Sequence, residues 1–163
     1  MSNIDLTRPP YRAAAPVIRP TGMVCGTLLS TDLAKSRYLY EEVLRLQCAQ
    51  ITPDRMLVRD LPSNIGPGRP HWVLDVRLTD RVDNQQRLLH HWGVDLETKA
   101  AVDQMHKVLT ERREELELTK LMETRFQHGA YSFYFADRDS NWWELQYLPH
   151  SKRTQLFDAG DVM

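Results

Sequence analysis

Residues 128–148 read HGAYSFYFADRDSNWWELQYL, and this stretch decides the fold. Two strand patterns, over 130–136 and 142–148, flank the turn DRDSN, whose Asp and Asn residues suit a tight reversal. Side chains alternate between the two faces along a strand. In the first strand Tyr131, Phe133 and Phe135 oppose Ser132, Tyr134 and Ala136; in the second, Trp143, Leu145 and Tyr147 oppose Trp142, Glu144 and Gln146. Each strand thus has an apolar side fit to pack on a helix and a side that can ligate, titrate or hydrogen-bond. A sheet face open to water has a similar pattern. Trp142 on the side of Glu144 fits a half-closed pocket better.

Working outward, residues 89–96 form another strand pattern, with Trp92, Val94 and Leu96 opposite His91, Gly93 and Asp95. Thr98 can cap a helix whose apolar stripe is Ala101, Val102, Met105, Val108 and Leu109. The run ERREELE reads as its solvated last turn, and a strand over 117–122 completes this half. The first half has the same order. A strand over 24–30 precedes a helix capped by Thr31 or Asp32 and running to about Arg45. Strands follow over 47–51, 55–60 and 71–79, the last after the loop LPSNIGPGRP. The pattern is β-α-β-β-β, twice. Neither copy buries its helix and sheet well alone, so the expected fold is α+β, with paired βαβββ modules in one domain. The modules span about 23–80 and 88–148, between a Pro-rich extended arm, 1–22, and a tail, 149–163.

Composition narrows the function classes. The chain has 163 residues, 42% hydrophobic and 26% charged, which are globular values. A net charge of −1 gives no excess positive charge for a phosphate backbone, so nucleic acid is not an expected partner. No apolar run is long enough to span a bilayer, and the N-terminal residues lack a signal-peptide core, so a cytoplasmic location is expected. Two cysteines, Cys25 and Cys48, are too few for a disulfide framework and suit a reducing compartment.

HWGVDLE (91–97), the 128–147 stretch and STDLAKSRYLYEEVLRL (30–46) together resemble the vicinal oxygen chelate superfamily of glyoxalases, bleomycin-resistance proteins and extradiol dioxygenases. The resemblance covers about residues 23–148, and its most specific piece is the segment from Ser132 to Leu145. It implies a cupped mixed β-sheet with helices on its outer face and a divalent metal, Fe(II) first and Mn(II) or Zn(II) after it. The implied ligands are His91 and Glu144. Tyr134, ten positions before Glu144, matches the tyrosine that hydrogen-bonds substrate or dioxygen in the extradiol branch. His71, at the start of a strand, and His128 match pocket histidines of that branch. The implied activity is ring cleavage of a catechol-like or other small aromatic substrate, and the implied assembly is a homodimer. A nearby His can move a catechol proton because its pKa lies near working pH.

The first-module ligand, a His in the pattern, falls at Cys25. Three readings follow. Cys25 ligates as a thiolate, Asp75 completes the site instead, or the metal is lost and the cup binds an apolar molecule. The alternative functions are therefore a metal-free binding protein of the bleomycin-resistance type and a metal-dependent isomerase, epimerase or lyase of the glyoxalase type.

Overall fold

The structure is a computed structural model that describes residues 25–61 and 72–149. His71, the N-terminal arm and most of the C-terminal tail lie outside the described residues. Strand β1 (Cys25–Ser30) leads into α1 (Leu33–Tyr38), capped by the Asp32 carboxylate, which accepts from the amides of Ala34 and Lys35. The helix expected to run to Arg45 instead widens into a π-helical turn, Leu39–Val43, closed by the Leu44 amide donating to the Leu39 carbonyl at 3.0 Å. The extra residue per turn lets Leu39, Tyr40 and Val43 all reach the core. Strands β2 (Gln47–Thr52), β3 (Arg55–Arg59) and β4 (Val73–Leu78) complete the first module.

The second module has the same order. It runs through β5 (His91–Asp95), α2 (Lys99–Glu111, capped by Thr98), β6 (Lys120–Leu121), β7 (Arg125–Gln127), β8 (Ala130–Ala136) and β9 (Trp142–Tyr147). The single strand expected over 117–122 is two short pieces, β6 and β7, both antiparallel to β8. The run ERREELE is not simply solvated. Leu116 is buried, and Glu115 and Glu117 reach Tyr38 and Lys35 of the first module's helix.

The sheet orders show the repeat directly: β1-β4-β3-β2 in the first module and β5-β9-β8-β6 in the second. In both, the first strand runs parallel to the last and the other pairings are antiparallel. The fold is α+β with paired βαβββ units.

The apolar faces of the two sheets meet in one core. Leu28, Val58 and Val76 of the first sheet belong to the same buried cluster as Phe133, Phe135, Trp143 and Leu145 of the second. Tyr40 and Trp143 touch across it, ring centroids 5.4 Å apart. A cleft of about 190 Å³ is lined from one side by Val58 and Leu74 and from the other by Trp92, Val94 and Trp143. Because alternate residues point oppositely, the remaining faces turn away from this core. Cys25, Thr27 and Leu29 lie on one of them, His91 and Glu144 on the other.

Further contacts lock the modules together. Trp92 lies against Gly26 so closely that a Cβ there would stand 2.2 Å from the Trp92 ring. The β8–β9 turn also ties back to β1, with the Asn141 amide donating to the Leu29 carbonyl at 3.0 Å and Thr31 donating to Asp139. Within that turn Asp137 is buried and accepts from the Asp139 and Asn141 amides, each at 2.9 Å. Burial pushes its carboxyl up to about 6, against the lowering effect of its Asn141 hydrogen bonds.

Gly26→Ala should destabilise the fold by about 1–3 kcal/mol through overpacking against Trp92, measured by urea unfolding. Asp137 gives a pH signature. A carboxyl with a raised folded value holds its proton more tightly when folded, so its contribution is complete below about pH 4 and is lost as pH rises through about 6. The stability of the wild type relative to Asp137→Asn should therefore fall between pH 4 and 7. An unchanged difference across that range would contradict this.

Candidate metal centre

The outward face of the second sheet carries the polar cluster. In cross-strand register, Gly93 lies beside Glu144, and Glu144 beside Tyr134; His91 stands two residues from Gly93 on the same face. Strand pairing thus brings together residues more than forty positions apart.

The His91 Nδ1 lies 2.7 Å from the Leu88 carbonyl oxygen. A carbonyl only accepts, so Nδ1 carries the hydrogen and the tautomer is fixed. In a neutral ring Nε2 is then a bare lone pair. It points at Glu144 Oε2, 3.2 Å away. Two lone pairs at that distance repel unless a positive charge joins them, either a proton on Nε2 or a cation bound to both.

The other carboxylate oxygen is also fixed. Glu144 Oε1 accepts from Ser132 Oγ at 2.6 Å, and Gln127 Nε2 lies 2.8 Å from the same hydroxyl. Gln127 Oε1 in turn accepts from Arg125 Nε at 2.8 Å. Each group donates toward the carboxylate, so Arg125, Gln127 and Ser132 form a polarised relay ending on Glu144. Glu144 and Tyr134 are both buried. The Tyr134 ring meets His91 edge-on, with centroids 4.9 Å apart. Burial, and then the Glu144 charge, push the Tyr134 phenol up to about 12. At neutral pH it is a hydrogen-bond donor, not a base.

These residues fit a divalent cation. Donors at about 2.0–2.2 Å from a shared metal, at roughly right angles, stand about 3 Å apart, close to the spacing found here. An imidazole locked by a carbonyl and a carboxylate held by a hydroxyl is the usual support for metal ligands. Among the described residues no group of three His, Cys, Asp or Glu side chains is placed to hold a metal.

The other expected site residues lie elsewhere. Cys25 is exposed on β1, in the other sheet. Asp75 is engaged by Arg55 at 3.0 Å and Arg77 at 2.8 Å, and the Arg55 guanidinium holds its carboxyl below the usual range. It is therefore not free to complete the site. His128 is exposed in the two-residue turn between β7 and β8, where it and Gly129 both have positive φ, 51° and 81°. His106 on α2 lies edge-on to Phe133 with its Nε2 3.1 Å from the Met122 carbonyl oxygen. Sequence reasoning assigned no role to Ser132, Gln127 or Leu88. Alternation does place Ser132 on the Tyr134 face, but nothing in the sequence marks the Leu88 carbonyl.

No family model and no curated protein matches this chain by sequence. Solved structures do match. A possible glyoxalase from Bacillus cereus superposes with a TM-score of 0.60 at 20% identity, covering 78% of this chain and 99% of that one. The fosfomycin resistance protein FosX from Listeria monocytogenes gives 0.59 at 18% identity, covering 84% and 98%. A glyoxalase/bleomycin resistance protein/dioxygenase from Alicyclobacillus acidocaldarius gives 0.54 at 21%, covering 82% and 96%. The chain shares the fold of these solved structures, as the motifs led us to expect.

The site makes a prediction of its own. Tyr134→Phe should remove the phenol that titrates near pH 12 while leaving the fold intact, seen as one fewer late-titrating tyrosine in an ultraviolet pH titration. Loss of a tyrosine that titrates near pH 10 instead would contradict the buried setting described above.

Proposed function

We propose that this protein is a divalent-metal-dependent enzyme that binds a small oxygen-bearing substrate in chelate at His91 and Glu144. The observation that carries this reading is the His91 ring, held through Nδ1 by the Leu88 carbonyl, which aims Nε2 at a buried carboxylate oxygen 3.2 Å away. A cation bound there supplies Lewis acidity to the substrate oxygens. The Ser132 relay keeps Glu144 oriented. Tyr134, protonated at working pH, donates to an oxygen that gains negative charge during reaction. Trp142, on the same face, offers an apolar wall that suits an aromatic or otherwise flat substrate body.

A hard cation such as Mn(II) suits a site built on carboxylate and imidazole, and one of the FosX neighbours is described as complexed with Mn(II). Ring cleavage with dioxygen is the narrower form of the same reading. The contact between Tyr134 and His91 favours it, and oxygen consumption during turnover separates it from redox-neutral chemistry. Fe(II) belongs to that narrower form only.

The functional unit in this reading is a homodimer in the cytoplasm, where Cys25 and Cys48 stay reduced. Each chain has two outward faces. One carries the His91–Glu144 pair, and the other carries exposed Leu29 and Ile51 with a groove of about 270 Å³ lined by Ala49, Leu57 and Val73. A twofold dimer that pairs the second face of each copy with itself covers Leu29 and Ile51.

Titration calorimetry with Mn(II) tests the reading. One ion should bind per chain, Glu144→Ala should abolish binding, and Ser132→Ala should weaken it by roughly 10–100-fold by freeing the carboxylate. Absence of binding by the wild type to Mn(II), Fe(II) or Zn(II) would sink it. Light scattering at the same concentration should give twice the chain mass.

A further inference from the structure

Beside the metal centre, on the same face, lies a cavity of about 590 Å³ between the linker that precedes β5 and the β6 edge of the sheet. Its position follows from strand register. His91, Trp142, Ala136 and Lys120 form one cross-strand row, so Lys120 shares the His91 face three strands away, roughly 14 Å at the usual strand spacing. The opposite wall is the linker, which includes Gln85, Arg87 and Leu88. Leu88 is the residue whose carbonyl holds His91. The cavity and the metal centre therefore share a wall residue and a strand row.

Its lining is cationic. Arg87 and Lys120 both face the cavity, and no lining residue is acidic. Neither cation pairs with a carboxylate among the described residues, although six of the described arginines do: Arg37, Arg55, Arg77, Arg81, Arg112 and Arg138. Thr119 and Ser140 add hydroxyls, and Trp142 supplies a flat apolar surface between the cations and the His91–Glu144 pair. Two unpaired cations with hydroxyl donors around one concave space make a receptor for an oxyanion.

We propose that this cavity binds an anionic group, a carboxylate, phosphate or phosphonate, on the same small molecule whose oxygens meet the metal. The substrate is then anionic at one end and chelating at the other, with its body lying across Trp142. Only the identification of the ligand with the substrate rests on the reading of His91 and Glu144. Anion binding by the cavity stands apart from it.

The test uses the full chain, freed of metal with a chelator, and phenylphosphonate as the probe, with its neutral diethyl ester as the control. Binding is followed by calorimetry at low salt. Phenylphosphonate should bind and the ester should not. Arg87→Gln and Lys120→Gln should each weaken phenylphosphonate roughly tenfold, the size of one lost hydrogen bond to a charged group. Lys120→Arg should retain binding, which guards against a general structural effect. Glu144→Ala, which removes the metal ligand, should bind phenylphosphonate like the wild type, so failure of the metal reading leaves this result standing. Equal affinity in the Gln variants, equal affinity for the ester, or loss of binding in Glu144→Ala would each overturn the assignment.

Discussion

Everything in this molecule follows from burying two apolar sheet faces in one core. Each βαβββ unit has a sheet with one greasy side and a helix too small to cover it. Sharing one core, with Tyr40 of the π-helical turn against Trp143 and Trp92 against Gly26, hides both. Burial of one such side chain is worth about 1.5–3 kcal/mol, so the shared cluster dominates the favourable side of folding. Strand alternation then leaves no choice about the other faces. Whatever chemistry the chain carries has to sit on the sheet faces that turn away from this core.

That constraint explains why the pair on the second sheet is so carefully held. A carboxylate as buried as Glu144 is unfavourable without partners. One oxygen receives the Ser132 hydroxyl, and the other faces an imidazole whose far nitrogen is occupied by a carbonyl. The arrangement is satisfied only by a positive charge between His91 and Glu144. Evolution of a plain surface would not need a tautomer lock, a hydroxyl and a relay from Arg125 behind one glutamate. The same constraint accounts for Cys25. It belongs to the first sheet, and among the described residues it joins no group of three metal-ligating side chains.

Much of this was legible in the sequence. Period-2 alternation in 130–136 and 142–147 gave the correct faces, and with them the neighbourhood of His91, Tyr134 and Glu144. Asp32 and Thr98 cap their helices as their positions suggested. The short pieces were harder. β7 has only three residues, and its signal was the His128–Gly129 turn, where a left-handed conformation costs glycine nothing. His128 entered through its match to a pocket histidine of the resembled branch; the structure places it exposed in the β7–β8 turn. The π-helical turn leaves no mark in a pattern that is apolar at both helical spacings. Asp75 illustrates a different limit. Its face was readable, but its engagement by Arg55 and Arg77 depends on which strands pair, and pairing is not local information.

The central claim is that His91 and Glu144 share one cation. Diffraction from crystals grown with Mn(II), recorded with anomalous scattering from manganese, tests it most directly. The account predicts a single strong anomalous peak per chain, bonded to His91 Nε2 and Glu144 Oε2. A His91–Glu144 pair with no peak beside it, under conditions where Mn(II) is bound elsewhere or not at all, would contradict it.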